Sequence, residues 1–555
     1  MQFENLTNAE APPYEPINLG VYDYFLKSAA THRKKIALSY YGRSVSYKAL
    51  SAAIDSTATA LSATGVGRGD VVIVSLPSIP EAVHLFYAIN KIGAIFCGMD
   101  CRITCDEIRE IIAQVKPKLC FVSDFQLKEF ENIDDTRVVC VSFAKTLHFL
   151  SVFASFFADL FKGRLHLVGK KENIITYSKF ISLGQKNADV SFAPVKGDDV
   201  CAYFYTSGTT KGKKCVVLTN ENINSAVAQY ANSQKDLADA RRFCNIMPLF
   251  TCYGISLGTH LPLTVGLEIR MIPLFFGSRM KQLLLKEKPG YIITVPAHWE
   301  HFVKDRFDGA DFSFMKGLIV GGDKLDEESE NRINEILKTH NSTARVMRGY
   351  GLTEASTAVT TQPSNTPRGS VGCAMCWSEI GIFDPETGLR LPPLEKGEIC
   401  VKGPNLCQGY FEDEEATRAL LRTHEDGSLW LHSGDIGYMD EDGFLFFCER
   451  IKRIYVRFDG TKISPFAIEQ VLQKCPEVSR CLVIAIDDPK HFHGKCAKAL
   501  IVFKDGAYAE TAREKVQKFI HANLPSFMRP TQLEFVDRLP TTINGKLDYF
   551  FKPAE

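Results

Sequence analysis

The run Tyr205 to Val217 reads Y-T-S-G-T-T-K-G-K-K-C-V-V, and the rest of the chain is arranged around it. It follows Val200 to Tyr205, an apolar segment with the character of a strand. It then sets Thr206, Ser207, Gly208, Thr209 and Thr210 ahead of Lys211, Lys213 and Lys214. A loop of this make-up can wrap a phosphate: small residues let backbone N–H groups approach an anion, hydroxyls donate further hydrogen bonds, and lysines add charge. A plain polar surface loop uses the same residue types, so composition leaves both readings open. Spacing excludes the G-x-x-x-x-G-K-[ST] nucleotide loop, because Gly208 and Gly212 bracket three residues and Lys213 is followed by Lys214.

On either side of this loop, helical and strand-like segments alternate. From Ser46 to Thr64 apolar residues recur at Leu50, Ile54, Ala58 and Leu61, a helical stripe that stops at Gly65. Val71 to Leu76 is almost wholly apolar and ends at Pro77, as a strand covered on both faces would be. A helix from about Glu81 to Lys91 leads to another apolar run at Ala94 to Met99, and further runs follow at Leu119 to Val122, Tyr291 to Val295 and Leu318 to Val320. Such alternation predicts α/β architecture with parallel sheets and helices on their faces. Past Ser370 the texture changes to short segments broken by Gly, Pro and Asp, predicting a small antiparallel sheet. Within it, D-E-D-G at Asp440 to Gly443 reads as the turn of a hairpin between Ile436 to Met439 and Phe444 to Cys448.

At 555 residues the chain is too long for one hydrophobic core, so at least two domains are expected. Lysine plus arginine and aspartate plus glutamate both count 65, a balance that argues against a nucleic-acid-binding surface. The opening M-Q-F-E-N-L-T-N-A-E lacks the basic and apolar regions of a signal peptide, so a cytoplasmic protein is expected, with its 17 cysteines as thiols. Cys97, Cys101 and Cys105, and the pair Cys373 and Cys376, lack the second pair or the histidines of a zinc site and read as packing residues. Between Leu147 and Phe161 the polar residues His148, Ser151, Ser155 and Asp159 form a narrow stripe on an otherwise apolar helix of about 22 Å. That is too short to span a bilayer; burial in the protein, contact with a membrane surface and gating of a greasy substrate are the readings open to it.

Six segments in order resemble the adenylate-forming superfamily of acyl-CoA synthetases, amino-acid adenylation domains and luciferases. The first is the loop quoted above, where Thr206 to Thr210 and Lys214 fit the pattern [YF]-T-S-G-[ST]-T-G-x-P-K-G, while Lys211, Lys213 and Cys215 replace Gly, Pro and Gly. The others are Gly321 to Lys324 (G-G-D-K), Gly349 to Glu354 (G-Y-G-L-T-E), Ser433 to Asp435 (S-G-D), Arg450 to Glu469, and Pro540 to Lys546 (P-T-T-I-N-G-K). The resemblance implies a large N-terminal domain, residues 1–448, of two doubly wound sheets and a small β-subdomain. A small mobile α+β domain, residues 449–555, would turn about Glu449.

It also implies roles. Thr206, Ser207, Gly208, Thr209, Thr210 and Lys214 would hold the phosphates of ATP. Gly322, Asp323, Tyr350 and Gly351 would border the adenine, with Thr353 at the phosphates and Glu354 on Mg²⁺. Asp435 and Arg450 would bind the ribose, and Lys546 would be the catalytic lysine. Phe250, Thr251, Tyr253, His298, Trp299 and Gly322 would line an aromatic, uncharged pocket for a carboxylic acid, with ordinary core packing the other reading open to His298 and Trp299. The segment Pro248 to Gly254 lacks the Asp that holds an amino acid's amine, and the chain stops soon after Lys546, leaving no room for a carrier domain. A free-standing ligase using ATP, Mg²⁺ and CoA on a fatty or aryl acid is therefore the expectation. Two alternatives are an enzyme that hands its acyl group to a carrier protein and a non-catalytic homologue that binds nucleotide or acyl groups.

Overall fold

The structure, a computed structural model, describes residues 12–131, 133, 136–142, 171–185, 190–206, 213–273, 275, 277–323, 325–489, 491, 494–504, 509–542 and 547–551. Residues 147–161, the segment expected to be an apolar helix, lie outside the described residues. So do Ser207, Gly208, Thr209, Thr210 and Lys546. The described residues group into two compact units. The first takes the chain to Glu379 and then Val401–Leu431; the second takes Ile380–Cys400 and everything from His432 onward.

The first unit is built on two sheets. One has the order Gly409–Tyr410, Cys215–Thr219, Val200–Tyr205, Ile95–Gly98, Val71–Ser75, Leu119–Ser123, Val138–Val141, Ile174–Thr176. Its pairings are parallel from Val200–Tyr205 to Ile174–Thr176. Its other end is antiparallel, with Cys215–Thr219 paired to Val200–Tyr205 on one side and to Gly409–Tyr410 on the other. Val71–Ser75 and Leu119–Ser123 are buried at every position, which explains their unbroken apolar runs. The second sheet has the order Val346–Arg348, Gly317–Val320, Tyr291–Thr294, Arg242–Asn245, Glu268–Met271, Ile36–Tyr40, Arg43–Ser46, parallel except for the last pair.

Helices begin where the sequence supplies caps. Ser46 accepts from the Ala49 N–H at the start of Tyr47–Ala63. Thr104 and Glu107 form a reciprocal capping box at the start of Cys105–Val115. Buried polar side chains tie the helices together: Asn220 Oδ1 accepts from the Val21 N–H at 2.9 Å and from Asn90 Nδ2 at 2.6 Å. Among the described residues no helix is long and apolar enough to cross a membrane.

The second unit contains the expected hairpin, in which the later part of the strand Leu429–Met439 pairs with Leu445–Arg450 from Asp435↔Arg450 to Met439↔Leu445. Asp440 closes the turn by accepting from the Phe444 N–H at 2.8 Å, and Gly443 takes the positive φ, +83°, that the turn requires. Beyond it, Val478–Asp487, Lys495–Phe503 and Gln532–Phe535 form a three-stranded sheet. Pro465–Leu472 packs on this sheet through Ile468 and Leu472, and the neighbouring core includes Val516, Ile520 and Leu524. Glu449, expected at the domain boundary, sits within the strand Leu445–Arg450 of this unit.

Candidate active site

In the first unit the candidate residues lie on segments that leave the carboxyl ends of parallel strands, where open α/β sheets bind ligands. Val200–Tyr205 ends at Thr206, whose N–H donates to the Lys214 carbonyl at 3.0 Å and so closes the mouth of the loop. The two described lysines of the loop have different partners. Lys213 pairs with Glu107 at 2.6 Å, and this contact holds the Glu107 carboxyl below the ordinary carboxylate range. Lys214 places Nζ 4.2 Å from the centre of the Tyr410 ring, a cation–π contact.

Tyr350 and Glu354 follow Val346–Arg348. Tyr350 is buried, and its N–H donates to Thr360 Oγ1 at 2.9 Å. Gly351 is fixed by sterics: a Cβ there would lie 2.0 Å from the Thr357 carbonyl oxygen. Thr353–Ala355 forms a single tight turn, followed by Ser356 at φ +54° and Thr357 at φ +128°. The latter is a costly conformation for a β-branched residue, and surrounding hydrogen bonds hold it. Glu354 Oε1 accepts from the Tyr410 hydroxyl at 2.8 Å, and burial with the Glu354 charge pushes the pKa of that hydroxyl far above its ordinary value. Tyr410 was not among the residues expected at the site. Its sequence signal is only a glycine–aromatic pair at 409–410, and nothing in its spacing points to Glu354 or Lys214.

The expected acid-pocket residues divide. Phe250 is buried, with the Arg102 guanidinium 5.6 Å from its ring centre. Thr251 spends its hydroxyl on the backbone, accepting from Gly254 N–H at 3.1 Å and donating to Pro248 O at 2.7 Å. Gly254 is needed there, since a Cβ would meet Pro248 O at 2.0 Å. The Tyr253 hydroxyl donates to Thr294 O at 3.4 Å and lies beside Gly321, 3.3 Å from where a Cβ on that glycine would be. His298 packs edge-on against Phe275, and burial lowers its pKa to about 4, so the ring is neutral near pH 7. Trp299 corrects the expectation. At 1% exposure it donates its indole N–H to Thr294 Oγ1 at 2.8 Å and packs against Phe302, which puts it in the core beneath the sheet. Gly322 is exposed at φ +82°, beside half-buried Asp323.

In the second unit the hairpin register sets Asp435 opposite Arg450, and their side chains pair at 3.1 Å. The turn before Asp435 is braced from below. Glu398 Oε1 accepts from the Gly434 N–H at 2.9 Å, while its Oε2 lies 2.8 Å from His432 Nδ1. Cys400 adds a sulfur 3.4 Å from the same nitrogen. These three buried groups have donor types that could hold a metal, with ligand atoms within 4.8 Å of one another. Both carboxylate oxygens of Glu398 are already engaged, however, and the arrangement serves as a hydrogen-bonded support for the turn. Glu449 is buried and accepts from the Ser464 hydroxyl, and burial raises its pKa.

Two open α/β sheets with a hydroxyl- and lysine-rich loop at one strand end and a carboxylate turn at another define a nucleotide-binding α/β enzyme, and family matching agrees. The chain belongs to the AMP-binding enzyme family: residues 25–411 match the family's "AMP-binding enzyme" description and residues 467–546 its "AMP-binding enzyme C-terminal domain". Its relatives include a long-chain-fatty-acid–CoA ligase of Bacillus subtilis (strain 168), 28% identical over 94% of this chain and 91% of that protein. A 4-coumarate-CoA ligase 1 of Narcissus pseudonarcissus is 26% identical over 96% and 93% of the two chains. Among solved structures, the anthranilate CoA ligase AuaEII in complex with anthranoyl-AMP shares the fold. The TM-score is 0.79 at 21% identity, covering 98% of this chain and 97% of that one.

Proposed function

We propose that this chain is an ATP-dependent acid–thiol ligase that joins an apolar carboxylic acid, fatty or aryl, to AMP and then passes the acyl group to CoA. The observation that carries the reading is the convergence on Tyr410: the lysine of the phosphate loop and the acid of the G-Y-G-L-T-E turn come from different sheets and touch one side chain. Bringing a carboxylate to the α-phosphate of ATP sets two anions against each other, so the reaction needs fixed positive charge and donors where negative charge builds up. Lys214 and the loop hydroxyls would meet the phosphates, and Lys546 would bring an ammonium to the reacting oxygens. Glu354 fits a magnesium ion shared with phosphates: it is a hard oxygen ligand held by a neutral donor, so its charge is not cancelled. Bound there, the ion would neutralise phosphate charge. Asp435, beside Arg450, would accept hydrogen bonds from the ribose hydroxyls.

The aromatic rings of Phe250 and Tyr253 and the neutral His298 suit an apolar acyl or aryl group, and the CoA ligases among the relatives support the thiol acceptor. We assign residues 449–555 to the C-terminal domain of the family, with Glu449 as the residue about which it turns between the two half-reactions. Incubation with ATP, Mg²⁺, CoA and a panel of fatty and aryl acids tests the reading. AMP together with acyl-CoA is the expected result. AMP formed only with a carrier protein would replace CoA as acceptor, and no turnover with any acid would overturn the reading.

A further inference from the structure

Residues 404–411 run between the two parts of the first-unit site and bond to both. On one flank the Cys407 N–H donates to the Glu354 carbonyl at 2.8 Å, and Asn405 Nδ2 donates to the Ala355 carbonyl at 2.8 Å. Ser356 Oγ returns a bond to the Asn405 carbonyl at 2.9 Å. On the other flank the Gln408 N–H donates to the Val217 carbonyl at 3.0 Å and the Phe411 N–H to the Cys215 carbonyl at 2.8 Å. The stretch is therefore a strap that joins the strand after the phosphate loop to the turn that presents Glu354.

Tyr410 is the residue of this strap aimed at both. Gly409 precedes it at φ +120°, where a Cβ would come within 2.3 Å of Thr417, and the Tyr410 N–H donates to Thr417 Oγ1 at 2.9 Å. Backbone direction and side-chain position are thus fixed from behind. In front, the hydroxyl binds one oxygen of Glu354 at 2.8 Å and the ring lies under Lys214 Nζ at 4.2 Å. We propose that Tyr410 is a positioning residue for the nucleotide and its metal, setting the Glu354 carboxylate and the Lys214 ammonium as one unit. This rests on the function proposed above.

The chemistry suits the task. A phenol donates a hydrogen bond without bringing a charge, so it orients the carboxylate while leaving its charge to attract a cation. A guanidinium or ammonium in the same place would orient Glu354 but cancel that charge. The ring offers Lys214 a weak resting place that a phosphate, with full negative charge, can outcompete.

The test uses the full chain and two variants. Tyr410→Phe keeps the ring and loses the hydroxyl; the Mg²⁺ concentration for half-maximal, acid-dependent AMP release should rise about 10-fold, the usual scale for losing a partner of a metal ligand. Tyr410→Leu also loses the ring and should in addition raise the KM for ATP. In a Glu354→Gln background, Tyr410→Phe should add little, because its target is already gone. A Tyr410→Phe variant that is merely less heat-stable, with unchanged Mg²⁺ dependence, overturns the proposal, as does a fully additive loss in the double variant. Should the unaltered chain release no AMP with any acid, the function reading fails on its own. Calorimetric titration with ATP at varied Mg²⁺ then decides the role of Tyr410 separately: Mg²⁺-dependent affinity unchanged in Tyr410→Phe overturns it, and weakened affinity upholds it.

Discussion

Glu354 in the first unit and Asp435 in the second are both acids at the end of a glycine turn, yet their surroundings are opposite. Glu354 is held by a neutral phenol, so its charge stays uncompensated among its described neighbours. Asp435 is 4% exposed and faces the Arg450 guanidinium at 3.1 Å, so its charge is largely met. An uncompensated carboxylate attracts cations, whereas one already met by a guanidinium pulls less on a further cation and still has lone pairs for neutral hydroxyls. The partner of each acid, more than the acid itself, sets which part of a metal nucleotide it suits. Two buried histidines repeat the contrast. His260 lies between the Tyr87 hydroxyl and the Asn224 amide, both neutral, whereas His432 meets the Glu398 carboxylate.

The largest effect is expected outside this contrast and bounds it. Lys546→Ala should lower acid-dependent pyrophosphate exchange by about 100-fold or more while ATP still binds, the scale for removing one group that meets transition-state charge. Retained exchange in that variant would leave the two acids as the main contributors. Next comes the comparison itself. Glu354→Gln should cut AMP release by about 100-fold and raise the Mg²⁺ requirement. Asp435→Asn should raise the KM for ATP about 10-fold, the worth of one hydrogen bond to a charged group, with the Mg²⁺ requirement unchanged. The same Mg²⁺ shift in both variants would break the distinction.

The histidine contrast has a pH signature. Burial lowers the His260 pKa to about 3, against about 6.5 in an unfolded chain, so the folded protein binds fewer protons. Its contribution to stability is complete above about pH 6.5 and is lost as the pH falls toward 3. At pH 5 the loss amounts to about 2 kcal/mol. Urea midpoints at pH 7.5 and pH 5 should therefore lie closer together in His260→Gln than in the unaltered chain, and an equal drop in both would rule out His260 as the source. The smallest effect should come from Lys213→Ala. Its partner Glu107 is about one-third exposed, so the pair is worth no more than about 1 kcal/mol. Its loss should leave the KM for ATP within about 2-fold, because Lys213 is spent on Glu107 and Lys214 is the lysine beside Tyr410. A large rise in KM would reassign phosphate contact to Lys213.

Much of this was legible along the chain. Strands such as Val200–Tyr205 and Leu119–Ser123 were marked by unbroken apolar runs, because both faces of a parallel sheet are covered. The helix Tyr47–Ala63 was marked by its stripe of Leu50, Ile54, Ala58 and Leu61 and by the stop at Gly65, while its Ser46 cap emerged only in the structure. The hairpin was marked by its D-E-D-G turn, whereas the opposition of Asp435 and Arg450 depends on a register shift between Ile436 and Gly437 that the turn does not announce. Trp299 was open to either reading, since an aromatic next to a histidine looks the same in a core as on a pocket wall until the Thr294 hydroxyl claims its N–H.

The amino-acid order by itself determined the α/β alternation, the loop at 205–217, the G-Y-G-L-T-E turn and the hairpin, because each rests on contacts within a few residues or on a repeating pattern. The tertiary structure alone decided what those pieces face. Tyr410 meets Glu354 across 56 positions and Lys213 meets Glu107 across 106, pairings set by strand order and by the strap at 404–411. No local pattern encodes them, because a hydrogen bond or ion pair depends on distance in space, and sheet order folds distant stretches together in a way that spacing along the chain does not record.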